Sequence, residues 1–487
     1  MENAVMTESH SEDRSSPVLR RRFLAAASAA AAAPLGATYG SPSAAAGEPV
    51  PPGLFREPSQ DLPLVDDADV IVCGAGPAGV TAAISAARAG ARVRLFEWRG
   101  CLGGVWTAGL LGYLLDFDKT GFATELASLL ADRGLRRGDG RSSFCYEPEG
   151  MKVVLEELCG KAGVTIQLHT RVAAAFRDGR RLRTVVTESK SGRQAWRAPI
   201  YVDATGDGDL SAQAGCAFEI GQADDCPCQP MSLNALLVCR DADALQPFIH
   251  ASDWTRADEG KKDALRKEIE RAGYAPSYSR PTMFQVRDNL LLVMMNHQYG
   301  VKPYDTAAVT KATIEARAEV NRIVDALRKL GGPWEGIQIA ATAEQIGVRD
   351  GRRIAGRYTV GRDDLVAGAR HEDAVTRATF PVDIHALSSE QNRTAGYTNA
   401  GIIAKPYDIP LRALVPRDVD GLMTAGRCIS GDFIAHASYR VTGNAVAMGE
   451  AAGAVAAIAA KTGRLPHEVS WPEAEAVINR ERPRVGR

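Results

Sequence analysis

Short apolar runs cut off by glycine alternate with stretches of helical period, and that alternation sets the plan of the chain. Residues 69–74 (DVIVCG) are apolar and β-branched, which predicts a buried parallel strand. An alanine-rich stretch running to about Ala89 predicts a helix stopped by Gly90, and 91–96 (ARVRLF) predicts the next strand. Residues 147–162 predict a helix and 164–168 a strand. Three runs, 172–176, 182–189 and 195–202, are separated by turns at Asp178-Gly179 and Ser191-Gly192 and predict a β-meander. A short helix is expected over 210–214. Beyond about Gly221 the pattern changes. Amphipathic helices are expected over 254–272 and 310–330, with apolar strands in 233–240 and 290–295. Near the C-terminus, 421–424 predicts a strand, Gly431-Asp432 a turn and 436–440 an aromatic and basic loop. A helix of small residues is expected to begin at Val441.

The first strand runs into Gly74-Ala75-Gly76-Pro77-Ala78-Gly79, which fits G-x-G-x-x-G. Gly74 permits the tight turn, Gly76 lets backbone approach a pyrophosphate, and Gly79 lets the helix close on the strand. Free N–H groups at the helix start attract phosphate charge. Glu97 follows at roughly the 20-residue spacing of a carboxylate that holds a ribose hydroxyl, and an acid there disfavours a 2′-phosphate. This fingerprint alone does not separate FAD from NAD. A second glycine pair, Gly103-Gly104, followed by Thr107, favours FAD, because it lets a loop lie against the pyrophosphate and ribityl chain. The strand ending at Ala204-Thr205-Gly206 again brings bare backbone to a ligand. Asp432 is expected to accept from a ribityl hydroxyl. The helix starting at Val441-Thr442-Gly443-Asn444 is expected to point its N–H groups at the flavin pyrimidine edge.

Together these segments resemble the FAD-dependent oxidoreductase family of the glutathione-reductase-like flavoprotein superfamily. The segments are DVIVCGAGPAGVTAA, GCLGGVWTAG, DATGDGDLSAQAG, RDGRRIAGRY and LMTAGRCISGDFIAHASYRVTGNAVAMGEAAG. Some members are similar to the flavin portion of heterodisulfide reductase, but the iron–sulfur motifs of that enzyme are missing here. The resemblance implies pyrophosphate contact at Gly74, Gly76, Pro77, Ala78 and Gly79, and ribose contact at Glu97. It also implies adenine contact by the backbone of Val172, and ribityl or phosphate contact at Gly104, Thr107 and Asp432.

The fold class expected is α/β: a Rossmann-like FAD-binding domain, a parallel sheet plus β-meander, with an inserted α+β substrate domain. The expected division is a FAD-binding part over 66–220, a substrate domain over 221–415, a second FAD-binding part over 416–465 and a tail over 466–487. His436, Tyr439 and Arg440 lie between the expected ribityl acid and the pyrimidine-facing helix. Arg440 is expected to hold an anionic substrate group or the reduced flavin. His436 or Tyr439 is expected to give or take the proton that accompanies hydride transfer. Arg349, Arg352 and Arg353 are candidates for recognising a carboxylate on the substrate. The function expected is hydride transfer between a small organic substrate and FAD. A flavin monooxygenase, or a flavoprotein that only relays electrons to a partner, is the alternative.

Composition narrows the partners. A net charge of −1 gives no electrostatic case for nucleic acid or an anionic membrane. The 9 cysteines form no C-x-x-C, and the 8 histidines form no H-x-x-x-H, so no metal site is expected. No second G-x-G-x-x-G follows a strand in the middle region, so no built-in NAD site is expected, and the electron acceptor is unnamed. The N-terminus stands apart. Arg20-Arg21-Arg22-Phe23-Leu24, an alanine-rich run and Ala44-Ala45-Ala46 have the form of a twin-arginine signal peptide over 1–46, with a proline-rich linker over 47–65. Export by that route, to the periplasm or another extracytoplasmic place, is the expectation.

Overall fold

A computed structural model describes residues 52–138, 140, 142–222, 228–250 and 257–481. The twin-arginine segment, residues 47–51 of the linker, Cys226, Pro227 and Trp254 lie outside the described residues.

Five parallel strands form the central sheet. From one edge they are Thr165–Gln167, Val93–Phe96, Val70–Cys73, Ile200–Asp203 and Leu422–Thr424. The chain therefore winds outward from Val70–Cys73 in one direction and then restarts on its other side. That reversal is the switch point at which doubly wound sheets bind ligands, beyond the C-terminal ends of the strands. Side chains alternate between two cores, as a pleated strand requires. Val70, Val72, Leu95, Val202 and Met423 meet the helices. Ile71, Cys73, Phe96, Tyr201 and Leu422 meet Val172, Leu182, Val185 and Trp196 of the meander.

The meander consists of Arg171–Asp178, Arg181–Ser189 and Gly192–Arg197, with Leu64–Val65 added in parallel at its edge. One expectation needs correcting here. The run over 195–202 is two strands that belong to different sheets. The chain leaves the meander at Arg197 and enters the parallel sheet at Ile200. Pro199 lies in the gap, and a proline has no N–H to continue a ladder.

The two glycine-rich segments at opposite ends of the chain meet as helices. Pro77–Arg88 lies along Thr442–Thr462. A Cβ on Gly449 would sit 2.2 Å from the Ala78 carbonyl oxygen, and one on Gly453 2.2 Å from that of Ala82. Small residues are what allow this approach. They also leave the second helix apolar and long enough to span a membrane by composition, although 89% of its apolar window is buried inside the protein.

A second sheet is ordered Ile249–His250, Thr282–Arg287, Leu290–Met294, Ala235–Val238, Gln338–Thr342. One face carries Leu237, Met283, Leu291 and Val293 against Leu265 and Ile269 of the helix Ala257–Arg271, and against Val320, Ile323 and Leu327 of Thr306–Leu330. The other face carries Leu236, Phe284 and Leu292 against Leu110 and Tyr113, just past the second glycine pair. Two further differences concern the C-terminal region. Residues expected as a loop form the helix Phe433–Tyr439, and the expected tail contains the helix Trp471–Glu481, packed on Thr442–Thr462. All eight described cysteines are buried.

Candidate active site

The first glycine loop has the geometry that a bound phosphate needs. Gly74 has φ +91°, and a Cβ there would lie 2.5 Å from the Ala204 carbonyl oxygen. A Cβ on Gly79 would lie 1.8 Å from the Gly74 oxygen, so this residue is pinned where helix meets strand. Gly76 has nothing within 4 Å of its bare face. It begins the helix Pro77–Arg88 without a side-chain cap and without an acid in the first turn, so the N–H groups stay open to an anion. Pro77 at the first position has no N–H to leave unpaired.

Glu97 ends the neighbouring strand, is buried, and accepts from the Ala75 N–H at 2.8 Å and the Arg99 N–H at 3.0 Å. The second glycine pair docks on the first loop: the Gly103 N–H donates to the Ala75 oxygen at 2.7 Å, and Gly104 faces Gly76. The Thr107 hydroxyl donates to the Leu102 oxygen. Val172 lies in the strand Arg171–Asp178 with its carbonyl accepting from Gln213 Nε2 at 3.2 Å. Across the switch point, buried Asp203 organises the next turn by accepting from the N–H and hydroxyl of both Thr205 and Ser211. Gly206, with φ +85°, lies against the Arg427 guanidinium, and Arg427 pairs with Asp207 at 2.7 Å. Arg427 is not among the residues expected from the sequence, although it follows directly on the last parallel strand and its glycine turn.

In the C-terminal half, Asp432 is an N-cap. Its Oδ1 accepts from the Ala435 N–H at 2.7 Å and its Oδ2 from the Arg362 N–H at 2.7 Å. Tyr439 is fully buried, and its hydroxyl donates to the Ile429 oxygen at 3.2 Å, a packing position. His436 is fully buried too, yet neither ring nitrogen has a partner. Burial, with Arg353, Arg440 and Arg427 behind it, pushes its pKa well below the usual histidine value, so the ring is neutral. The helix Thr442–Thr462 starts with Gly443 against the Asp116 carbonyl, where a Cβ would lie 1.8 Å from the oxygen. Asp116 holds φ +54°, and its carboxylate takes Lys119 Nζ at 2.8 Å and the Thr379 hydroxyl. Asn444 is fully buried with both amide atoms unpartnered.

Next to this helix start, Arg440 opens a second cluster. Its Nη2 reaches Asp383 Oδ2 at 3.2 Å, the Asp383 carbonyl at 2.9 Å and Gln229 Oε1 at 3.4 Å. Asp383 also meets His385 Nε2 at 3.3 Å. His297 sits 5.1 Å from the His385 ring, stacked on Tyr278 at 3.9 Å. Behind it, Glu319 of the long helix takes the N–H and hydroxyl of Ser277, each at 2.7 Å. Ser277 Oγ in turn accepts from the His297 N–H at 2.8 Å. Burial would raise Asp383, but His385, Arg440 and Arg349 outweigh it and hold the carboxyl below the usual range. His385 is pulled down to about 4 by burial and then by the Arg349 charge, against the opposing pull of Asp383. Of the three arginines singled out for carboxylate recognition, two are already engaged. Arg353 is bound to Gly431, Asp350 and Gly221, and Arg352 to Asp207 and Asp209. Only Arg349 joins the cluster.

The sequence profile of a family described as FAD dependent oxidoreductase matches residues 69–478. No curated protein matches the chain. Solved structures similar to it include a geranylgeranyl bacteriochlorophyll reductase-like protein from Thermoplasma acidophilum, 14% identical, with a TM-score of 0.43, covering 86% of this chain and 82% of that one. Another is p-nitrophenol 4-monooxygenase from Pseudomonas putida DLL-E4, 13% identical, with a TM-score of 0.44, covering 87% and 90%. A third is the flavin-dependent brominase Bmp2, 12% identical, with a TM-score of 0.45, covering 85% and 83%.

Proposed function

Because the chain belongs to the FAD dependent oxidoreductase family, we propose that it oxidises a small organic substrate by passing a hydride to FAD. The residues present fit that cofactor. Gly76 offers an open face and uncapped N–H groups to a pyrophosphate. Asn444 and His436 carry buried polar atoms that lack partners, and such atoms are rarely left so in a folded protein. Gly74, Gly76, Pro77, Ala78 and Gly79 would hold the pyrophosphate, and Glu97 the ribose. Gly103, Gly104, Gly206 and Arg427 would border the ribityl chain, and Gly443 and Asn444 the pyrimidine edge. Bound FAD supplies the two-electron acceptor.

The observation that carries the oxidase or dehydrogenase reading is the Arg440–Asp383–His385 group beside the start of the cofactor helix. It offers a substrate both a charge partner and a neutral imidazole as proton acceptor. The proton role expected for His436 or Tyr439 therefore moves to His385. Tyr439 packs, and His436 belongs with the residues that hold the cofactor.

The test is the reductant requirement of turnover. With an artificial dye as electron acceptor, substrate oxidation should proceed without NAD(P)H. A strict need for NAD(P)H and oxygen would replace this reading with monooxygenation. Residues 20–24 and 44–46 support export by the twin-arginine route as a further part of the proposal. That route carries folded proteins, which suits an enzyme loaded with its flavin before export.

A further inference from the structure

The cluster beside Arg440 has a legible chemical preference. It is assembled from Gln229, Tyr278, His297, Arg349 and the segment Asp383–His385, with Arg440 at its cofactor side. Asp383 lies deep in the protein, yet 25% of its side-chain surface is uncovered, and Arg349 and Met294 are also partly open.

Charge is unbalanced there. Asp383 faces two guanidinium groups and is within ion-pair distance only of Arg440. Arg349 donates to the Pro230 carbonyl at 2.7 Å, to Ser232 Oγ at 2.9 Å and to Met294 Sδ at 3.3 Å, and no carboxylate among the described residues pairs with it. Burial, and behind it the Arg440 charge, pulls its pKa down to about 10. A largely enclosed cation without a paired carboxylate is costly, and a bound anion lowers that cost.

Hydrogen-bond partners fix which nitrogens are free. Asp383 accepts from His385 Nε2–H, which leaves His385 Nδ1 as an unpartnered acceptor. Tyr299 gives its own hydrogen to the Ser277 oxygen at 2.8 Å, so it accepts from His297 Nδ1–H at 3.3 Å. That leaves His297 Nε2 as a second unpartnered acceptor. Gln229 Oε1 is occupied by the His385 N–H and Arg440, while its Nε2 donor is unpartnered. The cluster thus combines cationic and amide donors with two neutral acceptors, all at least nine-tenths buried apart from the guanidinium groups.

We propose that this cluster binds a small organic carboxylate bearing a hydroxyl group, with Arg349 holding the carboxylate and His385 Nδ1 accepting the hydroxyl hydrogen. The proposal rests on the flavin-oxidoreductase reading and names its substrate class. When the hydroxyl O–H bond breaks, the proton passes to Nδ1, and the imidazolium so formed lies beside the Asp383 carboxylate. Asp383 acts through His385 and is a positioning residue.

Binding to the FAD-loaded protein is measured by thermal shift with two probe sets: lactate, propionate and propionamide, and mandelate, phenylacetate and phenylacetamide. In at least one set the carboxylate should bind about tenfold tighter than its amide, and the hydroxy acid tighter again. Arg349→Gln should abolish the preference for carboxylate over amide. Arg349→Lys should keep part of it, which separates lost charge from misfolding, with FAD content and melting temperature recorded for both variants. His385→Phe should remove the gain from the hydroxyl while sparing the preference for charge. No preference for carboxylate in either set, a preference that survives Arg349→Gln, or a hydroxyl gain that survives His385→Phe would overturn the proposal. Selective anion binding without any flavin reduction would instead remove the oxidoreductase reading and leave this site standing.

Discussion

His385 can accept a proton only while its ring is neutral, and its surroundings extend the pH range in which that holds. It faces Asp383, Arg349, Arg440, Tyr278, His297 and Tyr397. An unperturbed histidine protonates near pH 6.5, whereas burial and Arg349 lower His385 to about 4. The folded-state pKa lies below the free value, so the acceptor survives as pH falls through 6.5 and is lost only as pH falls through about 4. The acid limb of kcat/KM should therefore lie near 4, and a limb near 6.5 would assign the proton role to another group. Tyr439→Phe removes one hydrogen bond, to Ile429, and should cost about 1 kcal/mol of stability. Its kcat should stay within about twofold of wild type, and a large loss would return Tyr439 to the chemistry. At this scale the sequence singled out the glycines and Glu97 as candidates, because their spacing is local. It could not expose His297, Asp383 or His385, because a lone histidine in a strand or loop carries no signal until folding brings its partners to it.

Helix contacts decide whether the two halves of the cofactor site meet. Gly453 lies on the Ala82 backbone, and Gly453→Val should destabilise the protein by about 1–3 kcal/mol and lower its FAD content in parallel. Chemical denaturation alongside flavin absorbance measures both, and unchanged values would mean that this contact is loose. Asp432→Ala should cost about 1 kcal/mol through the lost cap of Phe433–Tyr439, with FAD still bound. The small-residue helix and the first strand–helix–strand unit were legible because period and glycine placement agree there. Phe433–Tyr439 was not. Seven residues are too few to show a helical period, and an Asp before an apolar stretch reads equally as a turn or as a cap. The run over 195–202 misled for a different reason: both of its halves are apolar, and only Pro199 marks the crossing between sheets.

For the whole molecule, the order of the parallel sheet places Gly74–Gly79, Thr205–Gly206 and Arg427 at one switch point. The second sheet packs on Leu110 and Tyr113, just past the second glycine pair. The α/β class and the Rossmann-type FAD-binding unit followed from the sequence. The proposed substrate site did not, since its side chains come from segments spread between Gln229 and Arg440 that no spacing rule connects. The central claim is that a substrate at this site reduces the bound flavin directly. It is tested most directly by mixing the purified FAD-loaded protein, under anaerobic conditions and without NAD(P)H, with a panel of small hydroxy acids while the visible flavin band is followed. The account predicts that the band bleaches with at least one of them in the wild type, and not in His385→Phe. A band that no hydroxy acid bleaches, but that NAD(P)H bleaches, would contradict it.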